Sequence, residues 1–235
     1  MSQTTAGRAT VLLLLLALLP HSLASEEWKL LKEQQGIRVY SQKVAGSRYD
    51  AFKGIVELRA PLASILGLLE HTEACPEWVH SCILGRTLAS NGFSKRYTYQ
   101  VLDLPFPLAK RDSVVEAITS HNGVTGAITI TLTAAADYYP ATKHVRIRVT
   151  SGSFHLDPID EDRTEVTWQL HTDPAGFIPA FLVNMLLVDI PFQSLQRMEE
   201  MVKTAPYKRV AIKYDADGSP IDLLHRSWPL PEAVE

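Results

Sequence analysis

Between Phe177 and Val188 the one polar side chain is Asn184, so a helix over this stretch is apolar around almost its whole circumference and must be buried on more than one side. Pro179 stands just after the loop Asp173-Pro174-Ala175-Gly176, where a helix accepts a residue without an N–H, and it predicts a start near Ile178. A helix running from there to Thr204 would be roughly 40 Å long, about the width of a domain. Pro191 predicts a kink within it. Beyond Pro191 the pattern becomes one-sided. Phe192, Leu195, Met198 and Val202 recur at helical spacing, while Gln196, Arg197, Glu199, Glu200 and Lys203 fill the other positions.

Upstream, Glu26 to Gln34 reads as a short helix with Trp28 and Leu31 inward, ended by Gly36. Ile37 and Val39, then Tyr49 to Leu58, read as two strands joined around Gly46-Ser47. Pro61 opens a helix carrying Leu62, Ile65, Leu66 and Leu69. From Ile83 onward the chain is β. Asn91-Gly92 and His121-Asn122-Gly123 sit between alternating runs as hairpin turns. Val145, Ile147 and Val149, and later Val166, Trp168 and Leu170, alternate with polar residues as in antiparallel strands with two unlike faces. A short apolar piece, Val210 to Tyr214, follows the long helix, and then a C-terminal tail, 215–235, whose last dozen residues are expected to be loosely held. The sum is an α+β domain in which one long helix must cover one face of a large curved sheet. Because such a helix need not pack flush, the expected product is an internal hydrophobic cavity.

Composition changes this picture at two places. Arg8, the apolar run Val11 to Leu19 and Ser22-Leu23-Ala24 make residues 1–24 a predicted cleaved signal peptide, the run being short of the ~20 apolar residues a spanning helix needs. The remainder, one domain over 25–214 plus the tail, is thereby expected in the periplasm or secreted. Without Arg8, the 23 basic and 26 acidic residues leave a net charge near −4, which gives no footprint for a nucleic-acid partner. In an oxidising compartment Cys75 and Cys82, flanking Pro76 and Trp78, are candidates for a disulfide, the alternative being two buried thiols. Neither CxxC, HExxH nor a histidine cluster occurs, so no metal and no cofactor is expected.

The sequence resembles the StAR-related lipid-transfer (START) domain, in a bacterial exported form. The resemblance is carried by Gly36-Ile37-Arg38-Val39-Tyr40, Ala51-Phe52-Lys53-Gly54, Pro76-Glu77-Trp78-Val79, Leu104-Pro105-Phe106-Pro107 with Arg111-Asp112, and Asp173 to Pro179 leading into Leu182-Val183-Asn184. It implies a helix-grip fold, a curved sheet wrapped around the C-terminal helix with a tunnel for one lipid-like molecule. An ungapped alignment to Arg111-Asp112 puts Thr98, Gln100, Ser113, Val115 and Ala117 on the concave face. The acidic and basic pair of the family's sterol binders falls at Thr98 and Ala117, and two positions of the aromatic choline cage of its phosphatidylcholine carrier fall at Gln100 and Ser113. Neither head-group pattern is therefore present. The resemblance also implies ligand contact for the helix stripe Phe181, Met185, Val188 and Phe192, and makes Trp168 either a sheet core residue or a ligand contact.

Arg111 with Asp112 reads as an ion pair at a strand start, and Arg146 and Arg148 as a solvated strand face or an anion site. The histidines are scattered and no GxSxG elbow occurs, so a non-catalytic binding protein is expected, with no catalytic residues. It would be a monomer that binds a lipid or other hydrophobic small molecule in its cavity, with transfer as an extension of that role. Contact with a membrane surface would be transient, through Pro105, Phe106 and Leu108. The rival is a polyketide cyclase- or hydrolase-like enzyme of the same helix-grip superfamily, which would place His155 or His171 in the cavity beside a carboxylate.

Overall fold

The computed structural model describes residues 27–176 and 178–228. The predicted signal segment 1–24, Phe177 and residues 229–235 lie outside the described residues.

The chain begins with a hairpin, not a helix. Strand β1 (Lys29–Gln34) pairs antiparallel with β2 (Ile37–Gln42), Gln34 opposite Ile37. Gln35 and Gly36 turn between them at φ of 54° and 76°, the left-handed pair that a two-residue hairpin loop requires. The apolar spacing read as helical is that of an edge strand whose Leu30 and Leu31 face solvent; pairing with β2 overrides the local pattern. Next come β3 (Ala51–Leu58), α1 (Leu62–Glu70), a 3-10 turn (Thr72–Ala74) and the short α2 (Cys75–Trp78). Seven strands follow: β4 (Cys82–Asn91), β5 (Lys95–Leu102), β6 (Arg111–His121), β7 (Ile128–Ala134), β8 (Val145–Ile147), β9 (Val149–Pro158) and β10 (Thr164–Asp173). The long helix α3 (Ala180–Met201), the short α4 (Ala205–Lys208) and a hairpin of β11 (Ala211–Tyr214) and β12 (Pro220–Leu224) end the described chain.

The sheet runs β1-β2-β3-β10-β9-β7-β6-β5-β4, with β8 alongside β6. It is antiparallel apart from the β6–β8 pair and is not closed, β1 and β4 being its free edges. This is the helix-grip arrangement. The core lies on one side of the sheet, where Val39, Val56, Leu156 and Val166 meet Ile65 and Leu68 of α1 and Leu195 and Met198 of α3. Pro191 lies inside α3 without ending it. The expected tail is packed at its start: Leu223 and Trp228 are buried, and the Trp228 ring stacks on His71 with centroids 4.8 Å apart.

Arg111 and Asp112 do not pair, because successive residues of a strand point to opposite faces. Arg111 donates to the carbonyls of Ala109, Pro174 (3.2 Å) and Ala175 (3.4 Å), fastening the loop before α3 to β6. Asp112, fully buried on the outer face, accepts from Arg146 Nε (2.9 Å) and Nη2 (3.0 Å), Thr142 Oγ1 (2.7 Å) and Tyr99 O–H (3.3 Å). Arg146 is thus neither a solvated charge nor an anion site. Arg148 is exposed and pairs with Asp137 at 2.9 Å.

Burial alone would raise the Asp112 carboxyl, but the hydrogen bonds from Arg146, Thr142 and Tyr99 outweigh it and hold the group below its ordinary range. Replacing Asp112→Asn leaves Arg146 without its counter-charge and is expected to cost about 3 kcal/mol in urea unfolding at neutral pH. A depressed folded-state value means the carboxylate's contribution is complete above its unfolded value, near 4, and is lost as pH falls through the folded-state value. The gap between wild type and variant should therefore narrow below about pH 4.

Candidate ligand-binding cavity

Alternation along β5 and β6 decides what faces inward. On β5, Arg96, Thr98, Gln100 and Leu102 line the concave side, while Tyr97 and Tyr99 point outward to Glu116 and Asp112. On β6, Ser113, Val115 and Ala117 face in. With Phe154 of β9 and Trp168 of β10 below, and Leu68, Leu69 and His71 at the end of α1 above, they enclose a chamber of about 140 Å³. A second chamber of about 140 Å³ lies under the first half of α3, among Phe52, Leu104, Ile178, Val183, Leu186 and Leu187. The two share Gln100, Leu102, Ile147, Trp168 and Leu170 as wall and form one tunnel with two compartments. The second opens toward a shallow surface dish, with which it has His80 and Leu104 in common.

All five strand positions aligned to the concave face, Thr98, Gln100, Ser113, Val115 and Ala117, lie in the wall of the first chamber, and Trp168 lies in the wall of both. The helix stripe is corrected. Phe181 is 66% and Met185 54% exposed; Val188 is half-buried and lines neither chamber. Phe192 is buried in the main core, with the Lys32 ammonium 3.5 Å over its ring, outside the cavity wall. A helix apolar on every side carries no inward stripe of its own. Its rotation is set by the one-sided second half, where Leu195 and Met198 are fully buried, and stepping back from Leu195 by four gives Pro191, Leu187 and Val183. Phe181 and Met185 lie two residues out of phase with Val183 and Leu187, on the far side.

Polarity is graded along the tunnel. The second chamber is walled mainly by aliphatic and aromatic groups, with Asp50 and His80 among them, and the first holds Arg96, Thr98, Ser113 and Thr150; Gln100 and Thr172 line both. Arg96 donates from Nη2 to the Leu69 carbonyl at 3.1 Å. Burial lowers its pKa, opposed by the charge of Glu70. Glu70 is itself buried, which raises its carboxyl, and Arg226 offsets this through an ion pair of 2.9 Å. Burial also lowers His71, favouring its neutral form; its Nδ1 meets Tyr207 O–H at 3.0 Å, and burial pushes the Tyr207 phenol up to about 12. The Trp168 indole N–H has no hydrogen-bond partner among the described residues. His155 and His171 pair with Thr129 and Ser47, both at 2.9 Å, and neither lines a chamber.

The outer end is tied down by two devices. Cys75 and Cys82 form a disulfide with Cα atoms 6.0 Å apart, joining α2 to β4, and Cys75 is part of the cavity wall. The backbone N–H of His80 donates to Ser194 Oγ of α3 at 2.9 Å. In front of them Phe106 is 96% exposed. Arg96, the principal residue missing from the sequence-based site, was available from the same two-residue period that selects Thr98 and Gln100.

The START domain family matches residues 16–206 of the chain. The chain is 34% identical over 173 residues to an uncharacterized protein of Pseudomonas aeruginosa, covering 73% of this chain and 85% of that one. It is similar to the crystal structure of a STAR-related lipid transfer protein fragment from Xanthomonas axonopodis (TM-score 0.70, 32% identity, 75% of this chain and 99% of that one). In fold it is also similar to human StAR-related lipid transfer protein 5 (TM-score 0.67, 15% identity, 78% of this chain and 88% of that one).

Removing the cross-link with Cys75→Ala and Cys82→Ala together should cost about 2–3 kcal/mol, the loop-closure value for so short a loop. The check is the shift in denaturation midpoint relative to the oxidised wild type, with reductant alone giving a shift of the same sign.

Proposed function

This chain belongs to the START domain family, and on that premise we propose that it binds one lipid-like amphiphile in the two-compartment tunnel and can pass it to and from a membrane surface. The observation that carries this reading is the tunnel itself, apolar under α3 and polar beneath α1. Burying an acyl chain contributes roughly 0.8 kcal/mol per methylene, so an aliphatic wall suffices for affinity without a specific polar contact. The role is one of binding and carriage: the tunnel's polar groups are hydroxyls, an amide, a guanidinium, the Asp50 carboxylate, which pairs with Lys43 at 2.8 Å, and the imidazoles of His80 and of His71, the latter held by Tyr207. Access runs through the dish beside Leu104, where Phe106, and Phe181 on the facing end of α3, present exposed rings suited to touching a lipid surface. The protein acts as a monomer, and the Cys75–Cys82 disulfide fits export to the periplasm or the outside.

The test is native mass spectrometry of protein purified from its own compartment, followed by solvent extraction. A stoichiometric adduct that extracts as an amphiphile is expected. An empty protein that also takes up none of a panel of fatty acids, phospholipids and sterols ends the proposal. Gln100→Trp places an indole at the junction of the chambers and should abolish the adduct while leaving the far-UV spectrum unchanged; an undiminished adduct would mean that the ligand sits elsewhere. Phe106→Asp should slow transfer between vesicles by several-fold while leaving the adduct in place, as measured by a fluorescent-lipid dequenching assay.

A further inference from the structure

Arg96 is the one guanidinium in the tunnel wall, and its surroundings do not use it up. It donates from Nη2 to the Leu69 carbonyl at 3.1 Å, one of the last carbonyls of α1, which fixes the orientation of the group and satisfies one of its five N–H donors. Among the described residues it makes no ion pair. Glu70, the nearest compensating charge, is committed to Arg226 at 2.9 Å, and Arg226 also binds Asp222 at 2.8 Å. These four side chains sum to zero charge, yet the two carboxylates both face Arg226. Arg96 thus brings a positive fork to the α1 end of the tunnel, beside Leu68, Leu69 and Ala117.

Resting on the reading of the tunnel as a lipid site, we propose that its ligand class is a single-chain carboxylate amphiphile, bound head inward with its carboxylate on Arg96 and its tail toward the dish. Three features select this class. A guanidinium matches a carboxylate in a bidentate fork. Glu70 lies close enough to oppose the burial shift of Arg96, so the site tolerates one negative charge and disfavours the nearly two of a phosphate monoester. Finally, the six residue steps from Arg96 to Leu102 span roughly 20 Å of extended strand, along which the wall passes from polar to aliphatic. That sequence suits one acyl tail, and chambers of about 140 Å³ each are narrow for two.

The experiment compares palmitate with hexadecanol, which share a tail and differ in the charged head, by calorimetric titration into delipidated protein. Palmitate should bind at least tenfold more tightly. Arg96→Met should remove that preference, weakening palmitate about tenfold and leaving hexadecanol within twofold, and Arg96→Lys should retain part of it. Hexadecanol binding also reports that the variants remain folded. Equal binding of acid and alcohol by the wild-type protein overturns the inference while leaving the lipid-binding reading intact. Binding of neither, together with a failure of the wider lipid panel, overturns both. A single-chain phosphate ester that outcompetes palmitate would assign Arg96 to a different head group and overturn the carboxylate class.

Discussion

The seat of α3 on Gly54 governs the rest of the molecule. A Cβ at Gly54 would lie 2.7 Å from Leu195 Cδ1 and 3.3 Å from Pro191 Cβ, so the helix touches the sheet where the sheet has no side chain. Directly across the strand pair, Gly54 is opposite Trp168. That ring packs edge-on to Phe52 at 4.9 Å and stacks on Phe154 at 5.0 Å. One strand position therefore lets the helix in while its neighbour holds it off. Since sheets twist, a helix pinned at one point diverges from the sheet on either side, and the chamber under its first half lies in that divergence. Pro191 helps at the contact, since a proline ring is compact and needs no hydrogen-bond partner of its own on the buried side.

The two ends of α3 consequently belong to different hydrophobic groups. Leu195, Met198 and Val202 are part of the main core with α1 and the central strands. Ile178, just before the helix, and Val183 in its first turn pack instead into a small separate cluster with Tyr49 and Leu104, while Leu187 already belongs to the main core. Local opening free energies follow the apolar surface that must be exposed, so the segment before Leu187 and the loop around Leu104 open at lower cost than the fold as a whole. Access to the tunnel needs only that small cluster to separate. The disulfide and the His80–Ser194 bond hold the other side of the opening fixed, so the movement is confined to one rim.

Most of this architecture was legible in the sequence because its signals are local. Asn91-Gly92, Pro61 and the alternation of Val166, Trp168 and Leu170 each report on their own element, and the structure places a turn, a helix start and a strand there. The parity that brings Thr98, Gln100, Ser113, Val115 and Ala117 inward is equally local once one position is anchored. What failed depended on partners. Lys29–Gln34 is a strand because β2 is beside it, and nothing within those six residues says so. The rotation of α3 was hidden for the opposite reason: Phe181, Met185, Val183 and Leu187 are all apolar, and what distinguishes them is the phase of the one-sided half beyond Pro191, whose Leu195 seats on Gly54. Arg111 and Asp112 could have been separated by parity alone, whereas Thr142 and Arg146, the partners that satisfy Asp112, lie thirty or more residues away.

The distribution of charge across the sheet gives the tunnel a division of labour. On the outer face, ionised groups are paired: Asp112 with Arg146 at 2.9 Å and Lys95 with Glu116 at 2.6 Å. In the tunnel wall on the inner face, the charged side chains among the described residues are Asp50 in the chamber under α3, paired with Lys43 at 2.8 Å, and Arg96 beneath α1. An acyl chain gains nearly the same free energy in any aliphatic channel, whatever head it carries, so the chamber under α3 supplies affinity with little discrimination. Discrimination requires a buried polar group whose pairing one ligand completes and another leaves unmet. Such a group is useful only where water is excluded, and it obstructs passage least when it lies beyond the apolar segment. For the proposed carriage role, a guanidinium beneath α1 and a mainly aliphatic wall beneath the first half of α3 would meet both requirements, capture proceeding through the chamber that accepts many tails and selection at Arg96.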